Sequence, residues 1–201
     1  MDELDFDNPP SSPLEPLRAW VAEAAACTQL RTPEAMSLST IDPDGRPSAR
    51  IVLLRGLDER GAVFFTNYRS RKGIALDAHP RAALTMHWDP LARQIRIEGS
   101  VTRVSNEESD AYWATRPRES QISAWASEQS RAVASRSFLL EQYDQVAEKF
   151  ADQPVPRPEH WGGYRVALEH VEFWQDERAR MHDRIVYIHR EEGWKLERLC
   201  P

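Results

Sequence analysis

Cysteine is scarce in this 201-residue chain: Cys27 and Cys200 stand far apart, in no metal or redox spacing. Their scarcity argues against a disulfide scaffold and points to a reduced, cytoplasmic setting. No apolar run approaches the ~20 residues needed to span a bilayer, so no membrane role is expected. The acidic start "MDELDFDNPPSSP" also lacks the basic and apolar regions of a signal peptide. Net positive charge is missing as well. A formal net charge of −6 argues against nucleic-acid binding but leaves room for a local basic pocket that takes a small anion. The six histidines are scattered without HExxH-like spacing, so no metal is expected. Neither a GxSxG elbow nor a glycine-rich phosphate loop occurs, and any phosphate must be gripped mainly by side chains.

What is present suffices for one core, with 41% hydrophobic and 29% charged residues. Residues 1–11 read as a mobile tail and residues 12–201 as a single domain. In "SSPLEPLRAWVAEAAACTQL", Ser12 and Glu15 have capping-box spacing, Pro13 takes the first helical position, and Leu14, Leu17, Trp20, Val21 and Ala24 form an apolar stripe. "AMSLSTI", "SARIVLLRG", "AVFFTN", "RAALTMHW" and "RQIRIEGSVTRV" then read as strands, interrupted by one short helix, "RSRKGIALDAHP", that Pro80 stops. "SNEESDAYWATR" starts with a second capping box, Ser105 with Glu108. A further helix, "SRSFLLEQYDQVAEKFAD", sets Leu139, Tyr143, Val146 and Phe150 on one side. After the proline-rich "QPVPRP" come three closing strands, "YRVALEHVEFWQ", "ARMHDRIVYIHR" and "WKLERL". Antiparallel strands without strand–helix alternation predict a mainly β fold with flanking helices, closed into a barrel.

Four clusters could carry chemistry. Arg50 and Arg55 bracket "RIVLLR", and Arg71 and Lys72 sit where a loop enters a helix that Ser70 would cap; this is a good phosphate site or a solvated basic loop. Tyr112 and Arg116 stand four apart on a helix, with Ser120 just beyond, and could converge on a second phosphate or mark an amphipathic helix ending at Pro117. Gln129 and Ser130 are small polar groups beside an apolar patch, equally explained as a helix cap. In "ARMHDR", a strand would point Arg180, His182 and Arg184 to one side, against something anionic or electron-rich or simply into solvent.

Taken in order, "RIVLLRG", "FFTNYRSRKG", "RQIRIEG", "RPRESQISAWASEQS", "VPRPEHWGGYRV", "EFWQ", "RMHDR" and "WKLERLCP" resemble the pyridoxine/pyridoxamine 5′-phosphate oxidase family, from about residue 35 to the last. The resemblance implies a split β-barrel homodimer with FMN at the subunit interface and composite active sites. It implies that Arg50, Arg71 and Lys72 hold the FMN phosphate end, with Gln129 and Ser130 supplied across the dimer. Ile51, Val52, Leu53, Leu54, Arg55, Phe65, Thr66, Gln94, Trp174 and Arg184 would line the rest of the flavin. Arg55, Tyr112, Arg116 and Ser120 would take the substrate phosphate, and Arg180 and His182 would be catalytic, facing the pyridine ring. The implied reaction oxidises pyridoxine 5′-phosphate or pyridoxamine 5′-phosphate to pyridoxal 5′-phosphate, with O2 as acceptor and H2O2 as product. The chain departs from the family pattern at Arg55, usually lysine, at "QDERA", where glycines are common, and at "MHW". These departures leave a second expectation: a paralogous FMN oxidase of another aromatic metabolite, as in the phenazine pathway. A non-enzymatic flavin- or haem-binding barrel is the third, and it gives Tyr112, Arg116 and Ser120 no purpose.

Overall fold

The computed structural model describes residues 4–201. Helix α1 (Leu14–Ala26) turns Leu17, Trp20 and Ala24 inward, and the Trp20 ring meets Phe173 edge-on at 5.1 Å. The capping box expected at its start does not form. Ser12 Oγ accepts from the Leu14 N–H at 3.4 Å, but the Glu15 carboxylate is taken by Arg18 one turn on, at 2.9 Å. Strands β1 (Ala35–Ile41), β2 (Pro47–Leu53), β3 (Gly56–Asp58) and β4 (Gly61–Asn67) follow, then helix α2 (Arg71–Ala78) and strands β5 (Arg81–Trp88) and β6 (Arg93–Arg103). Helices α3 (Asn106–Thr115), α4 (Arg118–Ala126) and α5 (Arg136–Lys149) form one run, before β7 (Trp161–Val166), β8 (His170–Gln175), β9 (Asp183–Arg190) and β10 (Gly193–Arg198). No helix among the described residues is long and apolar enough to cross a membrane.

The sheet is antiparallel and it splits at β6. One edge of β6 pairs with β5 along its length. The other edge pairs first with β8, Arg93↔Gln175 to Glu98↔His170, and then with β7, Val101↔Val166 to Arg103↔Tyr164. Three residues, Ala167 to Glu169, therefore oppose two, Gly99 and Ser100, which is a bulge that bends the strand. This is why "YRVALEHVEFWQ" makes two strands rather than the one expected, giving four closing strands and not three. Beyond the bend β7 joins β4, and the Arg55 N–H reaches the Val63 carbonyl at 2.8 Å, which helps close the barrel; β8, β9 and β10 extend away as a wing. Ser100 N–H and Arg81 both donate to Glu169 at the corner, and with these hydrogen bonds its carboxyl falls to about 2.

Alternation along the strands fills the core. Leu84, Met86 and Trp88 of β5 and Ile95 and Ile97 of β6 face inward, and Gln94, Arg96 and Glu98 face the other way as expected. A smaller cluster under α3, α4 and α5 holds Trp113, Ile122, Phe150, Val155 and Trp161, with Tyr143 and Val146 packed on it. Leu139 stays outside, 39% exposed. The proline-rich connector is pinned by two indoles: Trp113 donates to the Val155 carbonyl and Trp125 to the Pro156 carbonyl.

Of the tail expected to be mobile over residues 1–11, residues 1–3 lie outside the described residues, and Leu4, Phe6 and Pro10 contact the rest of the chain. Leu4 and Phe6 pack on the main core, the Tyr187 hydroxyl donates to the Pro10 carbonyl at 2.9 Å, and Arg198 donates to the Phe6 carbonyl at 2.9 Å.

The corner at β6 has a testable cost. A Cβ on Gly99 would lie 2.1 Å from the Ala167 carbonyl oxygen, a backbone atom that cannot step aside alone. Gly99→Ala is expected to cost about 2–3 kcal/mol through overpacking, read from the urea midpoint. An unchanged midpoint would show that the bulge yields freely.

Candidate active site

A cavity of about 960 Å³ opens between β2, β4 and helices α3 and α4. At one end stands Lys72, in the first turn of α2, whose Ser70 cap accepts the Gly73 N–H as expected. Lys72 is 9% exposed, and its Nζ donates to Thr66 Oγ1 at 3.1 Å and Gln129 Oε1 at 3.0 Å. These partners are neutral. Burial, aided by the nearby charge of Arg50, pushes the Lys72 ammonium down to about 8. Arg50, on β2, donates to the Leu38 carbonyl and to the hydroxyls of Thr40 and Ser48, and burial likewise lowers its pKa.

Gln129 was expected from across the dimer, yet it bonds Lys72 and lies within reach of Thr66 in its own chain, because the loop after α4 returns over the β4–α2 junction. Ser130, in the left-handed region at φ 72°, lines an adjoining groove of about 370 Å³ with Arg71. Arg71 points there rather than into the main cavity, since Asp42 binds its Nε at 3.0 Å. Ile51, Val52, Leu53, Phe65 and Thr66 line the main cavity; Leu54 turns into the barrel core instead.

At the other end of the cavity lie Arg55, Tyr112, Arg116 and Ser120. Arg116 does not share the α3 face with Tyr112. Helix α3 ends at Thr115, because Pro117 forces the residue before it into an extended conformation, ψ 141°. The guanidinium instead lies over the rings of Trp161 (4.6 Å) and Trp113 (5.1 Å). Its Nη1 is buried without a hydrogen-bond partner, and burial lowers the pKa of the group. Tyr112 stacks on Phe65 at 4.1 Å, which continues the aromatic wall. Arg55 is drawn to Glu34 at 3.3 Å.

The remaining expected residues sit together elsewhere. Gln94, Trp174 and Arg184 are paired in register across β6, β8 and β9, and the His182 ring lies 4.8 Å from that of Trp174. None of these lines the cavity of its own chain. "ARMHDR" is not a continuous strand. Residues Arg178–Arg180 make a tight turn closed by Met181 N–H on the Arg178 carbonyl, and Ala179 and Arg180 adopt left-handed φ of 57° and 62°. Strand β9 begins only at Asp183, so Arg180 leaves the face that His182 and Arg184 were expected to share with it.

Three carboxylates around these groups escaped the sequence reading. Asp42 and Glu34 hold Arg71 and Arg55, and buried Glu172 binds both Arg184 and Arg96. Of these, only Glu172 leaves a signal, a lone acid inside the apolar run "HVEFW". A fourth, Asp176, belongs to the "QDERA" departure from the family pattern and contacts His182.

Comparison with known proteins fits this arrangement. Residues 22–150 match the family model described as pyridoxamine 5′-phosphate oxidase, and residues 161–201 match a pyridoxine 5′-phosphate oxidase C-terminal dimerisation region. A pyridoxine/pyridoxamine 5′-phosphate oxidase of Cupriavidus taiwanensis is 52% identical over 190 residues, 94% of this chain and 89% of that protein. PhzG of Burkholderia lata 383, solved with tetrahydrophenazine-1-carboxylic acid, aligns with a TM-score of 0.91 and 31% identity, over 100% of both chains. An FMN-binding protein from Nostoc punctiforme related to pyridoxamine 5′-phosphate oxidase shares the fold, at TM-score 0.78 and 18% identity over 94% of this chain and 98% of its own. The chain is a split β-barrel protein and belongs to the pyridoxamine 5′-phosphate oxidase family.

Proposed function

We propose that the chain is an FMN-dependent oxidase that converts pyridoxine 5′-phosphate and pyridoxamine 5′-phosphate to pyridoxal 5′-phosphate, with O2 as acceptor and H2O2 as product. The observation that carries the phosphorylated substrate is Arg116, a cation held on aromatic rings with a buried Nη1 that nothing among the described residues satisfies. A buried unpaired guanidinium is costly unless an anion completes it. The residues also fit FMN. Lys72 and Arg50 are cations without a carboxylate hydrogen-bonded to them among the described residues, as a terminal phosphate requires, and Ile51, 64% exposed, offers apolar surface to a planar ring. Bound FMN supplies the two-electron acceptor for a hydride leaving the substrate.

The chain's own residues then divide the work. Lys72, Arg50 and Gln129 hold the cofactor phosphate, joined by Arg71 and Ser130 from the adjoining groove. Tyr112, Arg116 and Ser120 fix the substrate phosphate and so orient the ring. The second half of the site comes from another copy: Gln94, Trp174, His182 and Arg184 lie outside the cavity of their own chain, and the dimerisation match over residues 161–201 includes the last three. Likeness to PhzG supports a second reading, an FMN oxidase acting on an unphosphorylated aromatic such as a phenazine precursor. The 52% identity to the Cupriavidus oxidase and the unsatisfied Arg116 favour the first.

Arg116 separates the two. Loss of binding present in both ground and transition states raises KM and spares kcat. Arg116→Ala is expected to raise KM for pyridoxine 5′-phosphate by about one to two powers of ten, the equivalent of ~1.5–3 kcal/mol for a charged hydrogen bond. Turnover of an unphosphorylated aromatic alone, indifferent to this substitution, would move the chain to the second reading.

Lys72 makes a prediction about pH. Its folded pKa, about 8, lies below the ordinary 10.5, so between those values the unfolded chain binds more protons than the folded one. Stability of the FMN-free protein should therefore rise as pH increases across that window, with the penalty fully present below it. Lys72→Met should abolish the rise and weaken FMN binding about tenfold or more, measured by urea unfolding against pH and by flavin fluorescence titration. The same pH slope in both proteins would remove Lys72 as a buried unpaired cation.

Sharing of the site is tested by complementation. Arg50→Ala and Arg184→Ala chains should each be weakly active as homodimers, and mixing them with subunit exchange should restore one intact site per heterodimer. Verified exchange without recovered activity would show that Arg50 and Arg184 serve the same chain's site.

A further inference from the structure

Among the described residues, His182 is held through one nitrogen only. Its Nδ1 lies 2.9 Å from Asp176 Oδ1 and 3.1 Å from the backbone N–H of Glu177. A neutral imidazole cannot serve both neighbours. With the proton on Nδ1 the ring donates to Asp176; with a bare Nδ1 it accepts from Glu177. Asp176 is one of the residues that replace glycine in the family pattern, and its position is fixed. Its own N–H donates to the carbonyl of Ala92 at 2.9 Å, in a turn where Ala92 takes a left-handed φ of 52°. The carboxylate thus starts from an anchored backbone, one residue past β8, with the Trp174 ring packed against the imidazole from the same strand.

We propose that Asp176 is a positioning residue that selects the Nδ1–H tautomer of His182 and leaves Nε2 as a lone-pair acceptor toward the substrate. The charge-assisted bond to a carboxylate is roughly twice as strong as one between neutral groups, so it outcompetes the amide of Glu177, an exposed residue whose N–H can turn to water. This assignment rests on the oxidase reading for its chemistry. Bound FMN would supply the two-electron acceptor for the hydride of the substrate's exocyclic C–H; the O–H or N–H of the attached heteroatom would break as the carbon–heteroatom double bond forms, and Nε2 would take that proton. The opposite tautomer would present an N–H there and could not accept it.

The test reads the tautomer directly. Long-range 1H–15N correlation on the FMN-loaded protein with 15N-histidine, without substrate, should show His182 as Nδ1–H, its signal identified by loss in His182→Asn. Asp176→Asn offers Nδ1 an amide donor in place of the carboxylate and should switch His182 to Nε2–H. In the same variant kcat for the substrate turned over should fall about tenfold or more with KM within about twofold, and Asp176→Glu should recover part of it. An Nε2–H tautomer in the wild type, or one unmoved by Asp176→Asn, overturns the proposal, as does an unchanged kcat. Because the tautomer is read without substrate, failure of the oxidase reading would leave that arm of the result intact.

Discussion

One edge of β6 serves two strands in succession, and the bulge between them divides the molecule. Three residues opposite two at Gly99 and Ser100 bend the partner chain so that β7 turns into the barrel and β8 runs out with the wing. The corner tolerates no side chain at Gly99, and Glu169 ties it to Ser100 and Arg81. Everything functional follows this division. The barrel side, with the α3 and α4 helices laid over it, builds a cavity with cations at both ends. The wing carries Trp174, His182 and Arg184 on strands that lead away from that cavity. A chain folded in this way holds its two groups of candidate residues apart, and on the proposed reading a second copy brings them together, in keeping with the dimerisation region matched over residues 161–201.

Charge pairing sets three cations of the cavity apart from most arginines of the chain. The chain is acidic overall, and most of its arginines find carboxylates: Arg165 with Asp58 and Glu108, Arg96 with Glu98 and Glu172, Arg103 with Asp77. Lys72, Arg50 and Arg116 instead hydrogen-bond neutral groups or lie on aromatic rings. Leaving three buried or half-buried cations without a carboxylate hydrogen-bonded to them, in a protein with carboxylates to spare, runs against stability. It is the arrangement expected where anionic ligands complete the electrostatics.

Much of this was legible in the sequence, for identifiable reasons. Strand alternation gave the inward faces of β5 and β6, Ser70 announced its cap, and the basic cluster at Arg71 and Lys72 was local enough to be seen whole. What escaped depended on backbone conformation or distant contacts. Ala179 and Arg180 adopt left-handed angles that glycine would have signalled, so "ARMHDR" read as a strand. Pro117 did carry the information that Arg116 leaves α3, but helical spacing with Tyr112 outweighed it. Docking of residues 4–11 rests on Tyr187 and Arg198, some 180 to 190 positions away, which no local pattern encodes.

The departures from the family pattern acquire meaning from their partners. Arginine for lysine at position 55 would add a stronger fork of donors to the substrate end if its guanidinium were free, and binding there would be shared with Arg116. Glu34 takes it, at 3.3 Å, with both side chains about one-third exposed. An ion pair so placed is weak enough to open for a dianion, yet it neutralises the site until one arrives. Arg116 has no such companion among the described residues. On the proposed reading, phosphate recognition at this end rests first on Arg116, with Arg55 as a cation released only when a more highly charged ligand outcompetes Glu34. Such an arrangement suits a phosphate ester better than a singly charged carboxylate, so the departure at position 55 is compatible with the proposed phosphorylated substrate.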